Sequence, residues 1–123
     1  MARVLALVPD LLFGSQVQGM LAAAGYEVEL VGDETRAQDR LGDAGTPVID
    51  VLVVDLTTDA LDGPALVEAL LAEGTLAQTR TLGFYAHVDV SVRERAERAG
   101  FDIVVPRSRM AREGAQLIRR LAA

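Results

Sequence analysis

The sequence contains no cysteine, lysine, asparagine or tryptophan, and it has a single histidine, His87. Without cysteine the chain can form no disulfide framework, no thiol nucleophile and no thiolate ligand for a metal. One histidine also excludes a metal site built from several histidines of the same chain. Because every basic side chain is arginine, no role that requires a lysine ammonium can be filled.

Long hydrophobic runs are missing as well. The N-terminal apolar run, residues 4–8, is followed at once by Pro9 and Asp10, and it is too short for the core of a signal peptide or for a membrane span. The 123 residues correspond to one domain, and half of them are hydrophobic, which is enough for a core around a sheet. We therefore expect a single domain over residues 1–123 of a soluble, cytoplasmic protein.

The charge of the chain is unevenly distributed. The net charge of −6 argues against nucleic-acid binding over the whole surface. Residues 1–75 hold 3 arginines and 13 acidic residues, a net charge of −10, whereas residues 76–123 hold 9 arginines and 5 acidic residues, a net charge of +4. The C-terminal third of the chain is therefore basic within an acidic protein.

Short apolar runs alternate along the chain with segments of helical periodicity. The run that ends at Asp55 is β-branched and has no polar alternation, which predicts a strand covered on both faces. The predicted strands are residues 3–8, 26–31, 49–56, 80–86 and 102–105. Apolar residues between them recur at spacings of three and four, and the last helix is predicted from about residue 109 to 121. This βα alternation predicts a parallel sheet with right-handed crossovers.

Polar side chains stand where these strands end. Open α/β sheets bind ligands in the crevice outside the carboxyl ends of their strands. The candidate site residues at these positions are Asp55, Asp10, Tyr85, His87, Arg107 and Ser108.

Several motifs along the chain stand at spacings that one family shares. They are DVLVVD ending at Asp55, Asp62-Gly63 beyond it, Ala86-His87 with Ala99-Gly100 after it, and GYEV at residues 25–28. In these motifs the chain resembles a response-regulator receiver (CheY-like) domain over essentially its whole length. The resemblance implies a three-layer (βα)5 flavodoxin-like sandwich with a five-stranded parallel sheet in the order 2-1-3-4-5. It also implies that Asp55 stands at the phosphoacceptor position.

The resemblance does not extend to the residues that assist phosphorylation. Receivers hold Mg²⁺ with an acidic pair at the end of the first strand, where this chain has Val8 and Pro9, followed by Asp10. Phosphoryl transfer needs charge neutralisation, and Mg²⁺ usually takes one or two protein carboxylates. We therefore expect no cofactor, with Mg²⁺ as the alternative if the loop turns Asp10 toward Asp55.

Three further functional positions of the family are changed, and so is the position that follows the family's lysine. Tyr85 replaces the small hydroxyl after the fourth strand and is expected to fill space that a phosphoryl group occupies. Arg107 aligns with the family's lysine and Ser108 with the proline that follows it, while Val104 aligns with the switch aromatic. Of the five functional positions, only Asp55 is kept.

Each candidate residue also has a structural interpretation. Asp55 either accepts backbone hydrogen bonds from the next loop or is a phosphoacceptor, and Arg107 either pairs with it bidentately or is solvated. Asp10 is a helix cap or a ligand. His87 is a surface or loop-bonding histidine or a catalyst, and Ser108 is expected to cap the last helix. The charged segment 93–98 predicts a solvated helix face with i,i+4 pairs.

These observations favour a degenerate receiver that acts as a stand-alone interaction module in signalling and is not an enzyme. The alternatives are a working receiver that uses Asp55, and a small-molecule-binding protein of flavodoxin-like fold. The resemblance to receivers implies that the fourth helix, fifth strand and fifth helix form the partner face, and this segment is rich in arginine here, so we expect a protein partner, or a second copy of the chain, to bind it. Neither a membrane nor nucleic acid is an expected partner.

Overall fold

The computed structural model describes residues 2–86 and 88–123, so the predicted site residue His87 lies outside the described residues. Strands and helices alternate along the chain. The strands are β1 (Arg3–Leu7), β2 (Glu27–Val31), β3 (Val51–Asp55), β4 (Arg80–Tyr85) and β5 (Ile103–Pro106). The helices are α1 (Leu11–Ala23), α2 (Glu34–Gly42), α3 (Gly63–Ala72), α4 (Val90–Ala99) and α5 (Arg107–Ala122).

The five strands form one parallel sheet in the order β2-β1-β3-β4-β5. The predicted fold class and strand order are therefore confirmed. The central strand β3 is buried along its whole length, as its unbroken apolar run predicts. In the register of the sheet, Asp55 at the end of β3 lies beside Phe84 of β4.

Helices cover both faces of the sheet, and each face has its own core. One core joins α1 and α5 to the sheet and includes Phe13, Val17, Phe84, Leu117 and Ile118. The other joins α2, α3 and α4 to the opposite face and includes Ala37, Leu66, Val67, Tyr85 and Ala96. Successive residues of a strand point to opposite faces, so each strand contributes to both cores.

Aspartate side chains begin four of the five helices. Asp10, Asp33, Asp62 and Asp89 each accept a backbone N–H from the first turn of α1, α2, α3 and α4. The first amides of a helix have no partner within it, and a short carboxylate at the N-cap satisfies them. Since each helix follows a strand, these four carboxylates stand at the carboxyl edge of the sheet.

The start of α5 differs from the prediction. The strand β5 extends to Pro106 and α5 begins at Arg107, two residues earlier than predicted. Ser108 therefore lies exposed inside the first turn, and the N-cap position is Pro106, which makes no side-chain capping bond. The predicted cap at Ser108 is wrong. Proline is accepted both at the end of an edge strand and just before a helix, so β5 continues to Pro106 and α5 begins directly after it.

Among residues 2–86 and 88–123, no helix combines the length and the apolar character that a bilayer crossing requires.

Gly83 in β4 occupies a position where a side chain does not fit. A Cβ atom built there would lie 2.7 Å from Leu56 Cδ1 and 3.1 Å from Phe101 Cε2. Both of these side chains are buried, so neither can move away freely. Gly19 in α1, by contrast, has open space around it.

We predict opposite effects for alanine at these two glycines. Gly83→Ala should lower the free energy of unfolding by about 1–3 kcal/mol through overpacking. Gly19→Ala should raise it by about 0.5–1 kcal/mol, since alanine is the better helix former. Urea unfolding of both variants measures the difference. Equal effects of the two substitutions would contradict the packing described around Gly83.

Candidate functional site

Asp55 is the buried carboxylate at the carboxyl edge of the sheet, with 3% of its surface exposed. Its Oδ1 accepts two hydrogen bonds from Thr57, one from the backbone N–H at 2.7 Å and one from the hydroxyl at 2.6 Å. The N–H of Leu56 donates to the carbonyl of Phe84, which extends the ladder past the carboxylate. The expected backbone hydrogen bond from the following loop is therefore present, and it fixes one of the two carboxylate oxygens.

Asp10, after β1, is held by α1 and by Arg107. Its Oδ1 accepts the backbone N–H groups of Leu12 at 2.9 Å and Phe13 at 3.1 Å. Its Oδ2 lies 3.6 Å from a guanidinium nitrogen of Arg107. The predicted helix cap is confirmed, and both carboxylate oxygens have partners.

Arg107 joins the start of α5 to the start of α1. Besides its contact with Asp10, its guanidinium carbon lies 4.0 Å from the centre of the Phe13 ring, within the range of a cation–π interaction. Of the two alternatives for Arg107, no contact with Asp55 is found among the described residues, and the side chain is half-exposed while it also contacts Asp10 and Phe13. Because Arg107 is the first residue of the helix, its side chain reaches the neighbouring α1 start.

The residues at this edge do not fit the Mg²⁺ site of a receiver. Directly after β1 the chain has Val8 and Pro9, which offer no carboxylate, and Val8 is 1% exposed. Asp10 is committed to amide groups and a guanidinium. Within the described part of the chain, no group of three or more acidic or histidine side chains is placed to hold a metal ion. Mg²⁺ demands near-octahedral oxygen ligation, and the described carboxylates at this edge form no such set.

Tyr85 is part of the core, with 6% of its surface exposed. It follows Phe84, the register partner of Asp55, and its ring belongs to the core on the α2, α3 and α4 face, whereas Phe84 belongs to the opposite core. At its outer end it meets α4. Interaction with the Tyr85 side chain is the main cause that raises the pKa of the exposed Arg93, with Glu97 a smaller one.

An ion pair links the loop after Asp55 to α4. Arg95 donates to Asp62 Oδ1 at 2.8 Å, the same oxygen that accepts the N–H of Ala65. The two bonds lower the pKa of the Asp62 carboxyl, and Arg95 is the larger cause. The pairing is not evident from the sequence, because the two residues are 33 positions apart. The predicted i,i+4 pairing on α4 is also present, between Arg93 and Glu97.

The larger surface depressions lie away from Asp55. One of about 350 Å³ is lined by residues such as Arg40, Thr46 and Thr79, and one of about 430 Å³ by Leu76, Arg80 and Asp102. Both lie where strands begin, at the amino edge of the sheet. A smaller depression of about 110 Å³ lies beside Asp62 and Arg95.

No protein-family model matches the chain, and no curated protein matches it. Solved structures match it over nearly its full length. The chemotaxis response regulator CheY4 of Vibrio cholerae is 21% identical with a TM-score of 0.82, and the match covers 98% of each chain. The non-phosphorylated HemR receiver domain from Leptospira biflexa is 20% identical with a TM-score of 0.80, and the match covers 100% of this chain and 95% of that domain. The chain has the receiver fold.

The receiver fold also occurs inside longer proteins. NtrX from Brucella abortus is 18% identical with a TM-score of 0.83, and the match covers 99% of this chain and 27% of NtrX. At these identities the likeness establishes the fold, and the chemistry must be argued from the residues at the carboxyl edge.

The capping role of Asp10 can be separated from its charge. We predict that Asp10→Ala lowers the free energy of unfolding by about 1 kcal/mol, because two amides of α1 lose their acceptor. Asp10→Asn keeps a capping oxygen and should cost less than about 0.5 kcal/mol, since a half-exposed ion pair with Arg107 contributes little. Urea unfolding compares the two variants. Equal losses would show that the ion pair, and not the cap, is the dominant contact.

Removal of Arg95 should change the titration of Asp62. We predict that Arg95→Ala raises the pKa of Asp62 toward the ordinary aspartate value, because the main cause of its lowering is removed. The pKa of Asp62 is lower in the folded state than in the unfolded state. The ion pair therefore stabilises the fold at pH values above the ordinary aspartate pKa, and this stabilisation is lost as the pH falls through the lowered pKa of the folded state. Carboxyl NMR titration measures the shift, and Arg93→Ala on the same helix is the control. An unchanged Asp62 in Arg95→Ala would contradict the pairing.

Proposed function

We propose that the chain is a receiver-like signalling module that acts by binding a protein partner. It has no enzymatic activity and needs no cofactor, and Asp55 is not phosphorylated by the usual Mg²⁺-dependent route. The observation that supports this most strongly is the arrangement of Asp10. Its Oδ1 accepts two α1 amides and its Oδ2 lies 3.6 Å from Arg107, and it is the acid nearest to Val8 and Pro9, which the resemblance aligns with the metal-binding pair.

The surroundings of Asp55 support the same conclusion. A transferring phosphoryl group needs cationic or metal stabilisation of its oxygens. Arg107 aligns with the lysine of the receiver family. Its guanidinium lies over the ring of Phe13 and beside Asp10. Asp55 instead has Thr57 as its hydrogen-bond donor, which is a structural use of the carboxylate at a turn.

The proposed partner face is formed by α4, β5 and α5. It includes exposed arginines on both helices, among them Arg98, Arg119 and Arg120. Between the helices, β5 is an edge strand of the sheet with Val104 half-buried. A positively charged rim around a partly apolar strand suits a protein surface that carries acidic groups.

A working receiver is the second candidate, and one observation favours it. Asp55 stands at the carboxyl end of the central strand, and both of its hydrogen bonds from the described residues go to Oδ1. Oδ2 is then the oxygen that would attack a phosphoryl donor. The small-molecule alternative gains no support from the depressions at the amino edge, because neither is lined by Asp10, Asp55 or Tyr85.

Treatment with acetyl phosphate and Mg²⁺ separates the first two functions. We predict no gain in intact mass for the wild-type protein, because the Mg²⁺ ligands are absent. Asp55→Asn is the matched control, since it removes the nucleophile and keeps the shape of the side chain. A working receiver of the same fold, treated in parallel, shows that the reagent is active. A mass gain of one phosphoryl group in the wild type that is lost in Asp55→Asn would refute the proposal.

A further inference from the structure

The sulfur chemistry of the chain is confined to three methionines, Met1, Met20 and Met110, because cysteine is absent. A methionine thioether takes one oxygen from a peroxide and becomes a sulfoxide, which is polar where the thioether is apolar. Met110 in α5 is fully buried, and Met1 lies outside the described residues. Met20 in α1 is half-buried, so among the described residues it is the methionine that solvent reaches.

Met20 connects α1 to α5 at Gly114. A Cβ atom built on Gly114 would overlap the methyl group of Met20 and would lie 3.2 Å from the methyl carbon of Met110. Gly114 is buried, so the Met20 methyl group covers the backbone of α5 directly. Met20 also packs against the core that joins α1 and α5 to the sheet. At this point the contact between the two helices therefore depends on the close fit of an apolar thioether.

A surface depression lies beside the same side chain. It has a volume of about 140 Å³ and is lined by residues of both helices: Phe13, Gln16, Val17, Met20 and Ala111. A water molecule takes about 30 Å³ of liquid volume, so a hydrogen peroxide molecule, with its two oxygen atoms, fits into this depression next to Met20. The Met20 side chain thus meets the packed backbone of α5 on one side and a space open to solvent on another.

We propose that Met20 is a site of reversible oxidation by hydrogen peroxide, and that its oxidation detaches α1 from α5 at Gly114. A lone pair of the sulfur attacks one peroxide oxygen, the O–O bond breaks and an S–O bond forms. The sulfur gives two electrons to the peroxide, and the proton of the transferred oxygen passes to the departing hydroxide, which leaves as water. A methionine sulfoxide reductase reverses the step with two thiols, which become a disulfide while the oxygen leaves as water.

The added oxygen changes which position of the side chain is favourable. A polar S–O group that is buried without a hydrogen bond costs free energy, and this group is bonded to the same sulfur as the methyl group on Gly114. Because methionine has three rotatable side-chain bonds, the sulfoxide turns toward the water and the Gln16 side chain in the depression. The methyl group then leaves Gly114 and a void remains, which lowers the stability of the fold. The modification therefore acts on the amount of folded chain.

Peroxide treatment of the whole chain, followed by cleavage after aspartate and glutamate, shows which methionine reacts. The three methionines then fall in separate fragments, residues 1–10, 11–27 and 103–113, and mass spectrometry follows each of them over time. Met20 should gain one oxygen about tenfold or more faster than Met110. Equal rates at Met20 and Met110 would refute the inference.

Urea unfolding tests whether the oxidation acts on the helix contact. Oxidation should lower the urea midpoint of the wild type by about 0.5 M or more, and methionine sulfoxide reductase should restore it. Met20→Leu has a similar volume and no oxidisable sulfur, so the same treatment should leave its midpoint unchanged. A loss that persists in Met20→Leu assigns the effect to another residue and overturns the inference. An unchanged midpoint in wild type oxidised at Met20 overturns it as well.

Two glycine variants test the position of the Met20 methyl group. Gly114→Ala places a Cβ atom where that methyl group lies, so Met20 should be displaced toward solvent and should oxidise faster than in the wild type. Gly19→Ala, next to Met20 but in open space, should leave its oxidation rate unchanged. Circular dichroism shows that both variants are folded. An unchanged rate in folded Gly114→Ala would contradict the contact with α5.

Discussion

The first backbone N–H groups of each helix have no partner within the helix, and the need to satisfy them determines which side chains line the carboxyl edge of this sheet. In a parallel βα fold each strand runs into the start of a helix, so these amides gather at one edge. Asp10, Asp33, Asp62 and Asp89 each bond one or more of them. The edge is therefore rich in carboxylates that are already used for helix capping. Asp10 and Asp62 do not combine with Asp55 into a metal site, because their Oδ1 atoms already accept hydrogen bonds from helix amides.

The fold was predictable because it depends on patterns that are local in the sequence. The buried run before Asp55, the glycine after each of three helices and the helical periodicity between strands lead to the observed order of elements. Gly25, Gly74 and Gly100 all have positive φ, which is the conformation that a glycine after a helix indicates. The boundary between β5 and α5 was predicted wrongly, because Pro106 is compatible both with the end of a strand and with the position before a helix.

The site was only partly predictable, because its geometry depends on contacts between distant segments. The N-cap at Asp10 follows from a residue next to its helix, and it was predicted. The partners of Arg107 depend on where α5 begins and which helix lies beside it. The hydrogen bond between Asp62 and Arg95 joins positions 33 residues apart, and many other acids were equally available in sequence terms. Side-chain partners across elements thus require the three-dimensional arrangement.

The position of Tyr85 bears on how such a module could be controlled. The receivers that the chain resembles have a small hydroxyl at this position and a switch aromatic on the fifth strand. Here a bulky ring is embedded in the core, 6% exposed, and valine stands at position 104. A side chain buried in a close-packed core changes its position only if its neighbours move as well. Neither the buried Tyr85 ring nor Val104 supplies the switch aromatic of a receiver, so the proposed partner binding would follow the amount of the protein rather than a change in its shape.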